Sequence, residues 1–418
     1  MKIWILNAYD KIPGEQWGYK HSMFLAETLA NRGIEVTYWA TNYSHATKEF
    51  RCEGWGELKV GSNIRIFMVP IVAYQKHISL KRIKALLDYA LGTWKRGKKE
   101  ASPDFIIFCA PAPFVDYVSV KLSKFHKAKL ITDFRDLWPE LFALAFPKPL
   151  RRFSKIILAP LYLLRWYAFS NSHAFTAVCE TYLNLAKKIS KNVKVIPSEV
   201  IYSTGVILKD FEEMIESSDL YDKIVSKREG DIWAIYAGTI GNNYDIPCLM
   251  EAARILANKK EAISLKIIVA GDGPLRESLV KFIERNNLGN ITYVGALNMP
   301  ELCRYYAKSD IGLSIYDKGS TVAIPAKAFD YYAAKLPIIN SVNGEFAEFL
   351  ARENIGLNYE AGNPNSLVDA LLQMFYKTKE ERIDMKNRLN EIAPLYDCEG
   401  QYNKIFNIID KLSNNKGG

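Results

Sequence analysis

SIYDKGSTVAIPAKAFDYYAAKLPIINS, residues Ser314–Ser341, is the stretch on which the fold prediction rests. It predicts a strand end, a loop of Gly, Ser and Thr, a short helix and a second strand. Lys318 lies in the loop, and Lys327 and Asp330 lie in the helix. N–H groups, hydroxyls, a cation and a carboxylate at one strand–helix junction match the needs of a nucleoside diphosphate. An ordinary loop before an amphipathic helix is the alternative interpretation.

The same alternation of strands and helices extends over both halves of the chain. In residues 1–200, short apolar runs predict strands at Lys2–Asn7, Val36–Ala40, Ile64–Val69, Phe105–Cys109, Leu130–Thr132, Phe175–Val178 and Lys194–Ile196. In the second half they predict strands at Trp233–Tyr236, Leu265–Ala270, Ile291–Val294, Ile311–Ser314 and Pro337–Asn340. Amphipathic segments such as His21–Asn31 and Ile246–Ala257 lie between them. This pattern is typical of mostly parallel sheets covered on both faces.

We therefore predict an α/β fold with two doubly wound, Rossmann-like domains facing each other across a cleft, with ligands at the carboxyl ends of the strands. Residues 1–200 form the first domain and residues 201–395 the second. Residues 396–418 form a C-terminal helix that packs back on the first domain. The weaker pattern of residues 198–231 contains the linker.

Composition narrows the class of protein. The chain has 418 residues, of which 49% are hydrophobic and 24% charged, which is typical of a globular protein and not of a disordered one. Its six cysteines are scattered without a CxxC pair, which favours reduced thiols in the cytoplasm over disulfides or a zinc site. Met1–Ala8 is too short for the core of a signal peptide, and no apolar run is long enough to span a membrane.

The net charge of +9 is unevenly distributed. Residues 1–200 contain 30 Lys and Arg against 16 Asp and Glu, a net charge of +14, whereas residues 201–418 contain 25 against 30, a net charge of −5. Much of the excess lies in Ser79–Lys99 and Phe146–Phe169, where basic residues alternate with aromatic and aliphatic ones. Such segments suit an anionic membrane surface, although ordinary helices with a solvated charged face have a similar composition. Nucleic acid is the other anionic partner, but no nucleic-acid-binding motif accompanies the charge.

Two glycine-containing turns follow predicted strands of the second half. Tyr236–Gly241 and Gly271–Pro274 each lie before a helix, where glycine allows close approach of an anion to the backbone and the helix N-terminus stabilises it. Glycine at such a turn is also common without any ligand. No GxGxxG and no GxxxxGK[ST] is present, which disfavours a dehydrogenase and a P-loop protein.

The most specific motif is Ile131–Glu140, ITDFRDLWPE. With the order of the segments around it, it resembles the family-4 (group 1) retaining glycosyltransferases of the GT-B fold. The resemblance spans nearly the whole chain and is closest to the branch that transfers N-acetylated sugars in bacterial surface-polysaccharide assembly. It implies that a sugar is transferred from a UDP-sugar donor with retention of the anomeric configuration. The sugar that the resemblance implies is an N-acetylated hexosamine or deoxyhexosamine. The implied acceptor is an oligosaccharide or a polyprenyl-diphosphate-linked sugar, in O-antigen, capsule or lipopolysaccharide biosynthesis.

The resemblance also implies site residues. Catalytic residues are expected in the ITDFRDLWPE motif, at Asp133, Arg135 and Asp136. Acceptor-binding residues are expected at Gly14, Gly18, Lys20 and His21. Donor-binding residues are expected at Gly238, Thr239, Gly241, Asn242, Gly271, Gly273, Val294, Leu297, Ser320, Thr321, Lys327, Asp330 and Glu345. No metal or other cofactor is expected, because GT-B enzymes stabilise the leaving phosphate with helix N-termini and basic side chains.

Several of these residues have a plain structural alternative. Arg135 and one Asp can form an ion pair that caps the next helix, and Asp133 with Asp136 can bind a metal ion. His21 can be an ordinary polar surface residue, and Glu345 can simply lie on a helix face. We expect a cytoplasmic protein that binds peripherally to the inner face of the cell membrane. The sequence does not indicate its oligomeric state.

Four positions depart from the family pattern. The two glutamates that the family separates by seven residues correspond to Val322 and Asp330, so the first carboxylate is absent and the second is shorter. Asn242 begins the region where the family often has Arg and Lys, and Lys335 stands where Gly is usual. Lys327 is therefore the main candidate for the cation that binds the diphosphate.

Two other functions compete with this interpretation. A UDP-N-acetylhexosamine 2-epimerase has the same two-domain architecture but needs neither an acceptor nor a basic membrane surface. A nucleic-acid-binding protein would use the basic half for phosphate contacts, with steep salt dependence.

Overall fold

The computed structural model describes residues 1–15, 20–76, 79–144, 146–190, 196–217 and 226–414. The chain divides into two compact units, and the boundaries fall at Ser203/Thr204 and Gly400/Gln401. Unit 1 contains the described residues up to Ser203 and those from Gln401 onward, and unit 2 contains the residues between. The sequence-based boundaries at 200/201 and 395/396 lie a few residues away from these.

Unit 1 is built on an eight-stranded sheet with the order β3-β4-β2-β1-β5-β6-β7-β8. All neighbouring strands are parallel except the edge pair β3 and β4, which is antiparallel. The strands are β1 Lys2–Leu6, β2 Glu35–Thr41, β3 Gly56–Val60, β4 Ile64–Val69, β5 Phe105–Ala110, β6 Lys129–Phe134, β7 Ala174–Ala177 and β8 Ser198–Val200. Every residue of the central strand β5 is buried, because helices cover a parallel sheet on both faces.

The helices of unit 1 connect these strands. They are α1 His21–Ala30, α2 Leu80–Gly97, α3 Val115–His126, α4 Glu140–Leu144, α5 Ser154–Ile157, α6 Ala159–Ser170 and α7 Glu180–Ser190, with a 3-10 helix at Lys148–Phe153. Ser79 caps α2, since its hydroxyl accepts a hydrogen bond from the Arg82 N–H at 3.2 Å. At the C-terminus, α16 Cys398–Asn403 contains the boundary at Gly400/Gln401, and α17 Ile405–Asn414 belongs to unit 1. Helix α17 packs its apolar side on β7 and β8 of unit 1.

Unit 2 is built on a six-stranded, all-parallel sheet with the order β11-β10-β9-β12-β13-β14. Its strands are β9 Ile232–Ala237, β10 Leu265–Ala270, β11 Ile291–Gly295, β12 Ile311–Ser314, β13 Ile338–Asn340 and β14 Gly356–Asn358. Its helices are α8 Leu208–Glu216, α9 Ile246–Ala257, α10 Arg276–Arg285, α11 Met299–Lys308, α12 Lys327–Ala333, α13 Glu345–Glu353, α14 Pro364–Phe375 and α15 Lys379–Ile392, with 3-10 helices at Lys260–Ala262 and Ala393–Tyr396. Aliphatic residues of β9, β10, β12, α9 and α14 form its core.

The prediction of an α/β fold with two Rossmann-like sheets is confirmed. Strand β3 was missed because its polar residues alternate with apolar ones on an exposed edge, and β14 because it is only three residues long. The predicted strand Lys194–Ile196 lies mostly outside the described residues, as do residues 415–418 of the predicted C-terminal segment. The single C-terminal helix that we predicted is in fact two helices. Within the described residues, no helix is both long and apolar enough to cross a bilayer.

Candidate functional site

The sheet of unit 2 changes direction between β9 and β12. From β9 the chain moves outward to β10 and β11, and from β12 it moves the opposite way to β13 and β14. In doubly wound sheets the loops diverge at such a point and leave a crevice at the carboxyl ends of the strands. The segment after β9, which begins at Gly238, and the segment after β12, which leads to Lys327, both start there.

The two glycine-containing turns of unit 2 pack against each other. Gly271 and Gly273 have φ of +140° and +154°, and an added Cβ would lie 1.8 Å from the Gly238 carbonyl oxygen and 2.4 Å from the Ile240 carbonyl oxygen. The N–H of Gly238 donates to the Ala270 carbonyl at 3.0 Å. This packing accounts for Gly271 and Gly273 without a ligand, whereas the sequence analysis assigned them to phosphate binding.

Thr239 and Gly241 keep their backbone donors available. Within the described part of the chain, neither N–H group makes a hydrogen bond. Asn242 follows them and is exposed. These two N–H groups are therefore the donors that the turn after β9 offers to an anion.

Lys327 is a buried cation in a cage of tyrosines. Its side chain is 8% exposed, and its Nζ lies 3.9 Å from the ring centre of Tyr236, 4.8 Å from that of Tyr244 and 5.4 Å from that of Tyr316. A Cβ added at Gly238 would lie 3.1 Å from this Nζ. Among the described residues, the ammonium group has no hydrogen-bond partner. The cation therefore lies at the point where the sheet changes direction, with three donors unused.

The surroundings of Lys327 change its protonation. Burial lowers its pKa to about 7, and the nearby Asp330 carboxylate opposes this only in part. Burial also raises the pKa of Asp330 above its ordinary value, against the opposing effect of Lys327. An arriving anion would stabilise the protonated form of the lysine.

The remaining predicted donor residues lie in other segments of unit 2. Ser320 and Thr321 lie in the loop before α12, where the Ser320 N–H donates to the Asp317 carbonyl. Val294 is the last residue but one of β11 and, like Leu297, is half-buried. Glu345 is the first residue of α13. A cavity of about 340 Å³ opens beside Tyr244, lined by Asn242, Tyr244, Asp245, Pro247, Cys248, Leu275, Asp317, Gly362 and Pro364.

The second cluster of functional side chains lies in unit 1, around Asp133 at the end of β6. Asp133 is 2% exposed. Its Oδ2 lies 2.8 Å from His21 Nε2, and its Oδ1 accepts a hydrogen bond from the Thr176 hydroxyl at 2.7 Å. The Cys109 thiol lies 3.7 Å from Oδ2 and donates to it. The carboxylate is therefore bonded within the protein on both oxygens.

This network sets the charge of Asp133. Burial of the Asp133 carboxyl works against its ionisation. The charges of His21 and Arg135 favour ionisation, as do hydrogen bonds from His21 and Thr176, and together they hold the pKa of the carboxyl below its ordinary range. Burial likewise disfavours the charged form of Arg135, and Asp133 with Asp10 more than compensates, so its pKa is raised. Both groups are charged at neutral pH.

Arg135 lies at the edge of the network, with 15% of its side chain exposed. Its Nη1 is 3.8 Å from Asp133 Oδ2 and, within the described ranges, makes no hydrogen bond. Asp136, the next residue, is exposed. Desolvation of its carboxyl group by the surrounding protein nevertheless raises its pKa, and the charge of Arg135 opposes this shift only in part. Of the three predicted catalytic residues, Arg135 and Asp136 reach solvent and Asp133 does not.

The predicted acceptor residues have different environments. His21 is buried, with its Nδ1 2.8 Å from the Tyr402 hydroxyl of the C-terminal helix α16 and its Nε2 bonded to Asp133, so it is not the surface residue that we weighed as an alternative. Lys20 is exposed and lies over the Phe24 ring. Gly14 is exposed in a turn at φ +91°, and Gly18 lies outside the described residues.

One group of potential metal ligands occurs among the described residues. One atom each of His21, Cys109 and Asp133 lies within 4.8 Å of the others. His21 and Asp133 already bond to each other, and the Arg135 cation is adjacent. The predicted pair Asp133 and Asp136 does not form such a group, since one carboxyl is buried and the other exposed.

Sequence analysis missed several residues of these clusters. The three tyrosines of the Lys327 cage come from the end of β9, the segment after it and the segment after β12. Tyr402 and Asp133 are brought to His21 from distant parts of the chain. A search for aromatic residues at the carboxyl ends of β9 and β12 would have found Tyr236 and Tyr316, whereas no sequence signal indicates Tyr402.

Glu140, the last residue of the ITDFRDLWPE motif, forms an ion pair with Arg165. Its carboxylate accepts hydrogen bonds from Arg165 of α6 at 2.7 and 2.8 Å, and Arg165 also donates to the Trp138 carbonyl at 2.7 Å. The end of the ITDFRDLWPE motif is therefore fixed to α6.

Comparison with known proteins adds family information. Residues 232–376 match the model of the family "Glycosyl transferases group 1". Chitobiosyldiphosphodolichol beta-mannosyltransferase from Kluyveromyces lactis is 23% identical over 397 residues, which cover 85% of this chain and 84% of the relative.

Solved structures share the fold. Sucrose-phosphate synthase from Thermosynechococcus elongatus superposes with a TM-score of 0.73 at 14% identity, over 99% of each chain. HepE from Anabaena in complex with UDP superposes with a TM-score of 0.66 at 12% identity, over 99% of this chain and 100% of its own. The fold is that of the GT-B glycosyltransferases, and the group 1 match indicates that the protein is a glycosyltransferase enzyme.

Proposed function

We propose that the protein transfers a sugar from a UDP-sugar to a lipid-linked saccharide, with retention of the anomeric configuration. Unit 2 binds the donor and unit 1 binds the acceptor. The transferred sugar in this proposal is an N-acetylated hexosamine or deoxyhexosamine, and the pathway is the assembly of a bacterial surface polysaccharide. The protein works on the cytoplasmic face of the membrane.

The buried ammonium group of Lys327, which has no hydrogen-bond partner among the described residues, is the observation that carries this proposal. A cation held in an apolar cage costs free energy unless an anion pairs with it. The N–H groups of Thr239 and Gly241 and the hydroxyls of Ser320 and Thr321 supply further donors in the same unit. Together they match a diphosphate, which is the leaving group of a sugar nucleotide.

Asp330 and the end of β11 complete the donor site in this proposal. Asp330 accepts hydrogen bonds from the ribose hydroxyls, and Val294 and Leu297 contact the base. Glu345 hydrogen-bonds to the sugar. UDP is favoured as the nucleotide because HepE, which shares the fold, binds UDP.

The lipid-linked acceptor rests on the curated relative and on the basic unit 1. The Kluyveromyces lactis enzyme acts on a diphosphodolichol-linked sugar, as its name states. Arg135 is the cation that we assign to the acceptor's phosphate, because its side chain is 15% exposed and its Nη1 makes no hydrogen bond among the described residues. Asp136 orients the attacking hydroxyl. In this proposal Asp133 and His21 hold the segment in place without touching the substrate, whereas the sequence analysis expected Asp133 to be catalytic and His21 to bind the acceptor.

The proposed reaction needs no covalent enzyme intermediate. The bond between the anomeric carbon and the diphosphate oxygen breaks, and its electrons go to the phosphate that Lys327 stabilises. The acceptor hydroxyl attacks the same face of the sugar, and its proton passes to the leaving phosphate. No metal ion takes part in this scheme.

Binding of donor nucleotides to wild type and Lys327→Met tests the proposal. Isothermal titration calorimetry with UDP-N-acetylglucosamine and UDP should show binding that Lys327→Met weakens by about 100-fold, since a charge-assisted hydrogen bond contributes about 1.5–3 kcal/mol. Lys281→Met, which removes an exposed lysine of the same unit, should bind as wild type does. Equal binding by wild type and Lys327→Met would contradict the donor site.

Product analysis separates transfer from epimerisation. Wild type is incubated with the UDP-sugar in the presence and absence of a polyprenyl-diphosphate-linked acceptor, and the products are analysed by mass spectrometry and proton NMR. A glycosylated lipid with the donor's anomeric configuration, formed only with acceptor, is the expected result. A rearranged free sugar nucleotide without acceptor would instead identify an epimerase.

A further inference from the structure

Helix α2 is apolar on two opposite sides. One side, which includes Leu86, Tyr89 and Ala90, is buried against the rest of unit 1. The other side carries a stripe of Leu80, Ile83, Leu87 and Leu91, which are 83%, 44%, 38% and 45% exposed. An ordinary amphipathic helix exposes a polar side, so this second stripe is unexplained by the fold. The stripe is therefore not the buried apolar face of an ordinary amphipathic helix.

A second exposed apolar surface lies between residues 150 and 166. Ile156 is 73% exposed and Leu163 63% exposed. The surface also includes Leu150, Phe153, Ile157 and Trp166, each more than two-fifths exposed. Residues 141–179 contain no Asp or Glu at all, whereas Arg152 and Lys155 are exposed beside these apolar side chains. A soluble monomer seldom exposes so many large apolar residues together.

The two surfaces belong to one helical layer. Helix α2 packs against α3, and α3 packs against α6. These helices connect β4 to β5, β5 to β6 and β6 to β7, which all progress in the same direction across the sheet. Because such crossovers are right-handed, the three helices cover the same face of the sheet, opposite to α1.

Aromatic rings and basic residues join the surfaces across this layer. The ring centres of Trp94 in α2 and Phe125 in α3 are 6.1 Å apart, and Tyr117 in α3 stacks on Tyr167 in α6 at 5.6 Å. Lysine ammonium groups lie over three of these rings, as Lys98 over Trp94, Lys121 over Tyr117 and Lys124 over Tyr167. Aromatic rings beside lysines are typical of residues at the headgroup level of a bilayer.

We infer that this layer is a docking face for an anionic lipid bilayer. We define the docking face as the exposed side chains of α2, α3 and residues 150–166. Its leucines and isoleucines enter the boundary between headgroups and acyl chains, and its lysines and arginines pair with lipid phosphates. The inference deepens the proposed function, on which it rests for the lipid-linked acceptor.

The charge of the docking face selects this occupant over two others. A second copy of the chain would bring like charges together, because Arg152 and Lys155 are exposed in a segment, residues 141–179, that has no acidic residue. Nucleic acid would pair with the cations but leave the Leu and Ile stripe exposed. A bilayer with anionic lipids satisfies both kinds of side chain.

The docking face is joined directly to the proposed acceptor site. Arg165 of α6 is buried and bonds to Glu140 and to the Trp138 carbonyl, at the end of the segment that begins with Arg135. A lipid-linked substrate whose chain stays in the bilayer would therefore present its diphosphate beside Arg135.

Vesicle sedimentation with the full-length protein tests the inference. Wild type should partition onto phosphatidylcholine vesicles that contain phosphatidylglycerol and much less onto phosphatidylcholine alone. Ile156→Glu should weaken partitioning by about tenfold, and Arg152→Glu combined with Lys155→Glu by about 30-fold. High salt should weaken wild-type binding in the same direction.

Two control variants match these changes on unit 2. Ile263→Glu replaces an isoleucine that is 75% exposed, and Lys209→Glu with Lys281→Glu replaces two lysines that are 84% and 71% exposed. Both controls should partition as wild type does. Loss of binding by the controls equal to that of the docking-face variants would overturn the inference.

Two further results would also overturn it. One is partitioning by Ile156→Glu equal to wild type. The other is a wild-type dimer in sedimentation velocity that Ile156→Glu dissociates, together with no vesicle binding. Calorimetric binding of the UDP-sugar should be the same in all these variants, so failure of the docking face is distinguishable from failure of the donor site.

Discussion

Asp133 in unit 1 and Lys327 in unit 2 are both buried charges at the carboxyl ends of parallel strands, yet their surroundings differ. Both oxygens of Asp133 are hydrogen-bonded, and a cation lies beside it. Lys327 has three tyrosine rings around it and, within the described residues, no hydrogen-bond partner. A buried charge with all its partners stabilises the fold, whereas one without partners is held ready for a ligand. The comparison therefore separates a hydrogen-bonded network from the site that we propose for the diphosphate.

The largest expected effect is that of removing the paired charge. Asp133→Ala leaves His21 and Thr176 without their partner and Arg135 without its counter-ion, so it should lower the free energy of unfolding by about 3–5 kcal/mol. Urea denaturation measures the change. Asp136→Ala, three residues away and exposed, should change it by less than about 0.5 kcal/mol.

The same network has a pH signature. The folded pKa of Asp133 lies below its ordinary value, so its contribution to stability is present above about pH 4 and is lost as the pH falls below that. Asp133→Ala should lack this acid-sensitive component. Equal acid sensitivity in both proteins would contradict the assignment.

Removing the unpaired charge should have the opposite sign. Lys327→Met replaces a buried ammonium group by an uncharged chain of similar length and should raise the free energy of unfolding of the ligand-free protein by about 2 kcal/mol at pH 6. Each unit of pKa shift corresponds to about 1.4 kcal/mol, and contacts with the tyrosine rings offset part of the total. Thermal unfolding without ligand measures the change, and Lys281→Met is the exposed control.

The sign follows from proton binding. The pKa of Lys327 is about 7 in the folded state and lies well above that in the unfolded chain. The unfolded state thus binds more protons between about pH 7 and pH 10, and wild-type stability rises with pH in this range. The advantage of Lys327→Met should therefore shrink as the pH increases. A variant less stable than wild type at pH 6 would show that the cation is not strained.

A smaller effect is expected on donor affinity. Because the diphosphate binds the protonated lysine, UDP-sugar affinity of wild type should fall by about tenfold for each pH unit above 7, and that of Lys327→Met should stay constant. Calorimetry in buffers of different ionisation enthalpy should reveal proton uptake on binding. A UDP-sugar is preferred to UDP, whose terminal phosphate itself titrates near neutral pH. A flat wild-type profile would contradict the role of Lys327.

The smallest effect concerns the edge of the paired network. Tyr402→Phe removes the hydroxyl that lies 2.8 Å from His21 Nδ1 and should lower the free energy of unfolding by about 1 kcal/mol. Urea denaturation measures it against Tyr376→Phe, whose side chain is 59% exposed. A change of zero in both variants would show that the C-terminal helix adds nothing to the network.

Much of the fold was predictable because strand and helix periodicity is local. Strands such as Leu265–Ala270 and Ile311–Ser314 are confirmed residue for residue, since continuous apolar runs between turns have few other stable conformations in a parallel sheet. The edge strand Gly56–Val60 escaped because its pattern is half polar. Helix α2 shows another limit, because the sequence contains two apolar stripes and does not say which one is buried.

The candidate site was predictable only in part. Lys327 was identified as the main cation because it lies in the loop–helix segment after β12, and that choice agrees with its buried position. Gly271 and Gly273 had two explanations in the sequence, and their contact with the carbonyls of Gly238 and Ile240 appears only when the two turns are packed.

The sequence by itself determined the two α/β halves, the basic character of the first half and the segment that contains Lys327. Only the tertiary structure decided which charges are paired. Asp133 is joined to His21 and, through it, to Tyr402 from far along the chain, while Lys327 is enclosed by three tyrosines and left without a hydrogen bond among the described residues. The physical reason is that periodicity depends on neighbours in sequence, whereas the free energy of a buried charge depends on neighbours in space.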